Sequence, residues 1–178
     1  MNQYEILNSE ISDLDFACYL FIEAIKYQER KGYPLYKSSD RPLLKNDIEN
    51  ACHYKLMIDD DIACMFSAIR SDELIWREKN KDKAIYLHRI VVNPKYKGRK
   101  LLGEILDWTK QKAKEDDALY IRIDTWADNP DLVNYYTRFG FEVIEYFKIP
   151  DIEDVPINCR GNKVVLMEYS LSLLEKPL

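Results

Sequence analysis

Between Leu87 and Thr109 the chain reads LHRIVVNPKYKGRKLLGEILDWT, and this stretch constrains the fold more than any other. An apolar β run stops at Asn93-Pro94, a short basic loop around Gly98 follows, and apolar positions at helical spacing begin near Arg99 or Lys100. A strand that feeds a helix through a basic turn makes an anion site. The first N–H groups of the helix lack intrahelical acceptors, and its dipole leaves partial positive charge there. Lys95, Lys97, Arg99 and Lys100 crowd four cations around that point, so a phosphate is the natural occupant.

The remainder of the 178 residues supplies a mixed α/β chain, read as a single domain over 1–178. Residues 4–8 suit a short strand. A helix capped at Ser12 or Asp13 places Leu14, Ala17, Cys18, Phe21, Ala24 and Ile25 on one face and stops at Gly32. A connector with Tyr33 and Tyr36 leads to a short helix around Leu43, Leu44, Ile48 and Ala51; these tyrosines, with Tyr27, are expected to pack under the loop. Residues 53–59 and 62–70 read as a hairpin turning at Asp59-Asp60-Asp61, with Ile62, Cys64, Phe66 and Ala68 alternating on one face. Residues 71–83 are polar and lysine-rich, which suggests a long hairpin tip before the strand 84–92.

Beyond the opening stretch, 119–125 reads as a strand. Asp128-Asn129-Pro130 starts a helix with proline at its first position, and Gly140 ends it. Segments 141–149 and 162–172 are the last strands, separated by an acidic loop at 151–154. The four cysteines are widely spaced, without a C-x-x-C pair or a His/Cys cluster, so they read as free thiols, and no metal site is expected. A formal charge of −5 disfavours a general nucleic-acid binder. No apolar run reaches the roughly 18 residues of a membrane span, and the N-terminus is acidic and polar, so a cytoplasmic protein is expected.

Two motifs now take on meaning together. Asn129, six further residues, Tyr136 and then Thr-Arg-Phe-Gly-Phe (137–141) resemble the N-x6-Y-x3-G-F pattern of the GNAT superfamily of N-acetyltransferases, and Val92-Asn93-Pro94 with Lys97-Gly98 resembles its V-x-P and Arg-Gly. The resemblance implies a mostly antiparallel central sheet of about six or seven strands, a splayed parallel pair and about four flanking helices. It also implies acetyl-CoA as cosubstrate and a small-molecule or peptide amine as acceptor, with a homodimer as one possible assembly. The phosphate loop departs from the family pattern: Lys100 and Leu102 stand where the family keeps small residues, and Gly103 falls one place late.

The same resemblance assigns roles. Pantetheine would lie along the backbone of Ile90, Val91 and Val92. The pyrophosphate would meet Lys97, Gly98, Arg99, Lys100, Leu101, Leu102 and Gly103, and Asn129 and Tyr136 would complete the cofactor site. Tyr136 matches the tyrosine that protonates the departing thiolate, which a phenol with a pKa near 10 can do. His88 occupies a position where the arylalkylamine N-acetyltransferases of the superfamily carry a histidine, and it is the candidate general base, four residues before Val92 on the same strand face. Tyr86, Glu142 and Asp124 are weaker bases, and His53 reads as structural. Trp126 and Trp76 are expected to shape an acceptor pocket. The rival expectations are an acyl-CoA-binding sensor of the same fold without turnover and an interaction domain that has lost coenzyme A.

Overall fold

The computed structural model describes residues 4–34, 40–155 and 157–171. Tyr36 therefore lies outside the described residues. Strands β1 (Tyr4–Asn8), β2 (His53–Ile58), β3 (Asp61–Ile69), β4 (Ala84–Val92), β5 (Tyr120–Trp126), β6 (Glu142–Lys148) and β7 (Lys163–Ser170) hydrogen-bond in the order β1-β2-β3-β4-β5-β7-β6. The helices are α1 (Leu14–Lys31), α2 (Arg41–Glu49), α3 (Glu73–Trp76), α4 (Leu102–Glu115) and α5 (Pro130–Thr137). The sheet is mostly antiparallel, and β4 with β5 is its parallel pair. That pair registers only from Ala84↔Tyr120 to Tyr86↔Arg122, although β4 continues to Val92 and β5 to Trp126. No helix among the described residues is long and apolar enough to cross a membrane.

The chain divides into two units. The first holds Met1–Ala68 and His88–Trp108. Its core joins Leu14, Ala17, Leu20 and Phe21 of α1 to Leu44 and Ile48 of α2, Met65 of β3 and Val91 of β4. The 3.6-residue spacing along α1 buries that stripe, and Gly32 closes the helix in the left-handed conformation at φ 68°. The alternation expected of β3 fails, because residues 63–68 are all buried. Met65 belongs to the core beneath α1 and α2, while Phe66 stacks on Tyr54 (5.7 Å) and meets Trp108 of α4 edge-on (5.6 Å). A strand covered on both faces loses its polar face and reads as a continuous apolar run.

The second unit holds Ile69–Leu87 and Thr109–Leu178. Residues 71–83 are not a solvated hairpin tip. They form α3 and a 3-10 turn over Arg77–Lys81, and Asp72 caps α3 by accepting from the Ile75 N–H at 3.3 Å. Ile75 and Trp76 enter a core with Ala84, Tyr86, Ile149, Val155, Val164 and Leu166. Arg122 sits within this unit at 1% exposure, and all of its donor groups are answered. Its Nε donates to Glu168 (2.7 Å), Nη2 to Asp82 (2.7 Å), and Nη1 to the Lys79 carbonyl (2.5 Å) and the Tyr86 hydroxyl (3.1 Å). The Trp76 and Tyr120 rings flank the guanidinium at 4.7 and 4.8 Å. A buried cation is tolerated only when paired and hydrogen-bonded in this way.

All four cysteines are free thiols. Cys18 and Cys64 are buried and Cys52 and Cys159 half-buried, and burial pushes the Cys64 thiol up to about 12.

Candidate active site

In the first unit the end of β4 is pinned before the basic loop begins. The Asn93 side chain donates to the Ile62 carbonyl (2.8 Å) and accepts from the Lys95 N–H (3.1 Å), and the Asn93 N–H reaches the Ala63 carbonyl at 2.9 Å. A 3-10 turn over Pro94–Tyr96 follows, with Tyr96 buried and its hydroxyl donating to Asp61 at 2.7 Å. Lys95 pairs with the same carboxylate. The Lys95 ammonium and the Tyr96 hydroxyl both hold the Asp61 carboxyl below its ordinary value. Lys95 is therefore already neutralised, and the loop's remaining cations are Lys97, Arg99 and Lys100.

Those three residues and Gly98 are exposed. Lys97 Nζ rests 3.6 Å from the Tyr27 ring centroid and Arg99 5.2 Å from that of Tyr96. Tyr27 meets Tyr33 edge-on, with ring centroids 6.5 Å apart. Gly98 has φ 84°, and a Cβ there would meet open space. Among the described residues the backbone N–H groups of Gly98, Lys100, Leu101 and Leu102 have no acceptor. Exposed backbone donors within a cationic loop at a helix start form a cradle of the kind that suits an anion.

The helix does not start at Arg99 or Lys100. Lys100 is in the left-handed region at φ 54°, and α4 begins at Leu102. The position where the family keeps a small residue is thus one whose backbone favours glycine, and lysine adopts it at a cost. Leu101 and Leu102 are 3% and 4% exposed. Their side chains belong to the interior, and only their backbone is offered to the loop.

β4 carries the other part of this unit's site. Val91 is buried in the core, Ile90 is half-buried and Val92 is 39% exposed. His88 is half-buried. Beside it Arg89 has φ 52°, a local irregularity within the continuous strand β4. The Arg89 side chain carries an ion pair. It pairs with Asp47 of α2, which is 6% exposed and also accepts from the Ser67 hydroxyl at 2.5 Å. Sequence reading missed this lock, because Asp47 looks like any acidic residue on a short helix.

In the second unit Asn129 is buried and caps α5, its Oδ1 accepting from the Leu132 N–H at 3.2 Å. Tyr136 lies half-buried near the end of α5, edge-on to Tyr135 (5.7 Å) and to Phe141 (5.9 Å). Phe141 in turn meets Tyr169 at 5.9 Å. Gly140 has φ 90°, and a Cβ there would lie 3.0 Å from the Tyr169 ring, so this turn demands glycine twice over.

Of the weaker base candidates, Tyr86 is buried beneath Arg122, and burial raises its pKa, which removes it from consideration. Glu142 is exposed on β6 and Asp124 half-buried on β5. Trp126 is half-buried at the end of β5. Trp76 is corrected outright: at 0% exposure, edge-on to Tyr86, it is a core residue and shapes no acceptor pocket. His53 is structural as expected, fully buried with Nδ1 2.7 Å from the Ser9 hydroxyl.

With this fold, this cradle and this tyrosine helix in place, the chain belongs to the acetyltransferase (GNAT) family, whose model matches residues 12–141. Among individual relatives, it is 24% identical over 161 residues to the uncharacterized N-acetyltransferase YesJ of Bacillus subtilis (strain 168), covering 80% of this chain and 89% of that one. A GNAT-family acetyltransferase structure from Listeria monocytogenes superposes with a TM-score of 0.75 at 19% identity, covering 94% of this chain and 95% of that one. The spermidine N-acetyltransferase of Vibrio cholerae, in complex with CoA and spermine, superposes with a TM-score of 0.64 at 18% identity over 96% of each chain.

Proposed function

We propose that this protein is an N-acetyltransferase that moves acetyl from acetyl-CoA directly to an amine in a ternary complex. The observation that carries the reading is the exposed loop of Lys97, Gly98, Arg99 and Lys100. Its cations surround N–H groups that have no acceptor among the described residues, the donor set a pyrophosphate requires. The Asn129 cap uses only the side-chain oxygen, which leaves the amide N–H₂ for the cofactor.

In this reading the acceptor amine attacks the thioester carbon, and a backbone N–H from Ile90–Val92 stabilises the oxyanion, a contribution of a few kcal/mol. Collapse of the tetrahedral intermediate breaks the C–S bond, and the Tyr136 hydroxyl gives its proton to the thiolate. An amine is mostly ammonium at neutral pH, so about 4 kcal/mol of deprotonation must be supplied. His88 is the residue proposed to help as base. The net charge of −5 favours a small cationic amine over a polyanion as acceptor. The spermine-bound relative makes polyamines the first class to try.

Calorimetry with CoA and dephospho-CoA tests the cradle, and absence of binding to both would refute the cofactor assignment. Thiol release from acetyl-CoA, measured across polyamines, aminoglycosides, arylalkylamines and peptides, tests turnover. Tyr136→Phe should slow release at least about tenfold. CoA binding without release from any amine would instead identify an inert acyl-CoA sensor. A pH–rate profile unchanged in His88→Gln would remove His88 as base.

A further inference from the structure

Arg89 stands in the left-handed region at φ 52°, inside β4 and immediately before the run Ile90–Val92. Glycine enters that region freely, whereas a residue with a side chain does so at a cost. Such a conformation persists where its surroundings over-determine it, and it concentrates at functional sites.

The surroundings of Arg89 hold a buried charge that is itself costly. Its guanidinium pairs with Asp47, which is buried in the last turn of α2. The helix dipole disfavours a carboxylate there, and burial disfavours it again unless it is paired. The Arg89 guanidinium and the Ser67 hydroxyl both donate to Oδ2 of Asp47, the latter at 2.5 Å. The same helix grips the strand a second time, because Leu44 and Ile48 share a core with Val91. Just past Val92, the Asn93 side chain and N–H reach the Ile62 and Ala63 carbonyls at 2.8 and 2.9 Å. Ile90–Val92 is therefore tied at both ends, to α2 through Arg89 and to β3 through Asn93.

We propose, on the transferase reading above, that Asp47 and Arg89 are positioning residues: their ion pair holds residue 89 left-handed and so aims the N–H groups of Ile90–Val92 at the thioester. A left-handed residue turns the peptide planes that follow it relative to those before it, so the direction of these donors depends on residue 89. An oxyanion donor acts only when aimed at the charge of the transition state. Misdirection therefore lowers kcat and leaves the KM for acetyl-CoA nearly unchanged.

Arg89→Ala and Arg89→Gly test this as a pair. Both remove the guanidinium and strip Asp47 of its counter-ion, and they differ in that glycine adopts φ 52° freely. In thiol-release assays Arg89→Ala should lower kcat at least about tenfold, with the KM for acetyl-CoA within about twofold of the wild type. Arg89→Gly should recover kcat to within about threefold of the wild type. An ion pair that serves stability alone affects the two variants alike, so equal kcat in both overturns the proposal. Backbone chemical shifts measured by NMR read residue 89 without turnover. They should report a left-handed Arg89 in the wild type and an extended one in Asp47→Asn; an Arg89 that stays left-handed in folded Asp47→Asn also overturns the proposal. If the wild type releases no thiol with any amine, the transferase reading falls and the kinetic role with it, while the shifts still decide whether the pair holds the backbone.

Discussion

Acidification should weaken the fold through His53, and the size of the effect follows from where that ring is placed. His53 lies on β2 at 0% exposure, with Nδ1 2.7 Å from the Ser9 hydroxyl. Burial lowers its pKa from 6.5 to about 4, and nearby Arg89 lowers it further while Asp47 opposes the shift. The unfolded chain takes up a proton below pH 6.5, whereas the folded protein keeps the ring neutral down to about pH 4. More protons are bound by the unfolded state across this window, so stability falls as pH drops from 6.5 towards 4 and levels off below it. Between pH 7 and pH 5 the loss is about 2 kcal/mol, and the full separation is worth about 3 kcal/mol. For a chain of this size, 2 kcal/mol lowers Tm by about 4–7 °C. His53→Asn keeps a hydrogen-bonding group at the Nδ1 position but cannot titrate. Urea denaturation of both proteins from pH 8 to pH 5 should show a loss of about 2 kcal/mol in the wild type that the variant lacks. Carboxylates contribute equally to both curves and cancel in the difference. Parallel curves would refute a buried, neutral His53.

Three further outcomes are expected. Asp47→Asn leaves the Arg89 guanidinium without its counter-ion and should cost about 3 kcal/mol by chemical denaturation, more than Ser67→Ala, which removes only one donor to the same carboxylate. Gly140→Ala places a Cβ against Tyr169 at a φ of 90° and should cost about 2 kcal/mol; because Tyr169 supports Phe141, which meets Tyr136, thiol release should also slow. Lys100→Gly relieves a left-handed lysine and should change stability by less than about 1 kcal/mol in either direction, since glycine's backbone entropy offsets the strain, while CoA affinity measured by calorimetry falls through loss of a cation.

Local chemistry made much of this molecule readable before any tertiary contact was known. The Asn129-Pro130 start and Gly140 stop of α5, the spacing that buries one face of α1, and the passage from β4 into a basic loop depend on neighbours a few residues apart. The motifs shared with the family are of the same local kind, which is why the cradle and the tyrosine helix could be located from the sequence.

Tertiary structure decided matters whose partners lie far along the chain. Trp76 is core because Arg122 and Tyr86 receive it, residues 63–68 of β3 are all buried because α1 and α2 cover one face while Trp108 packs at the other, and Arg89 of β4 pairs with Asp47 of α2. Burial and charge pairing are non-local, and no periodicity within 71–83 or 84–92 encodes them. The basic stretch shows both halves of the lesson. Its composition raised the expectation of an anion site, yet only the folded backbone revealed that Lys95 is spent on Asp61, that Lys100 takes a glycine-like conformation, and that α4 begins at Leu102.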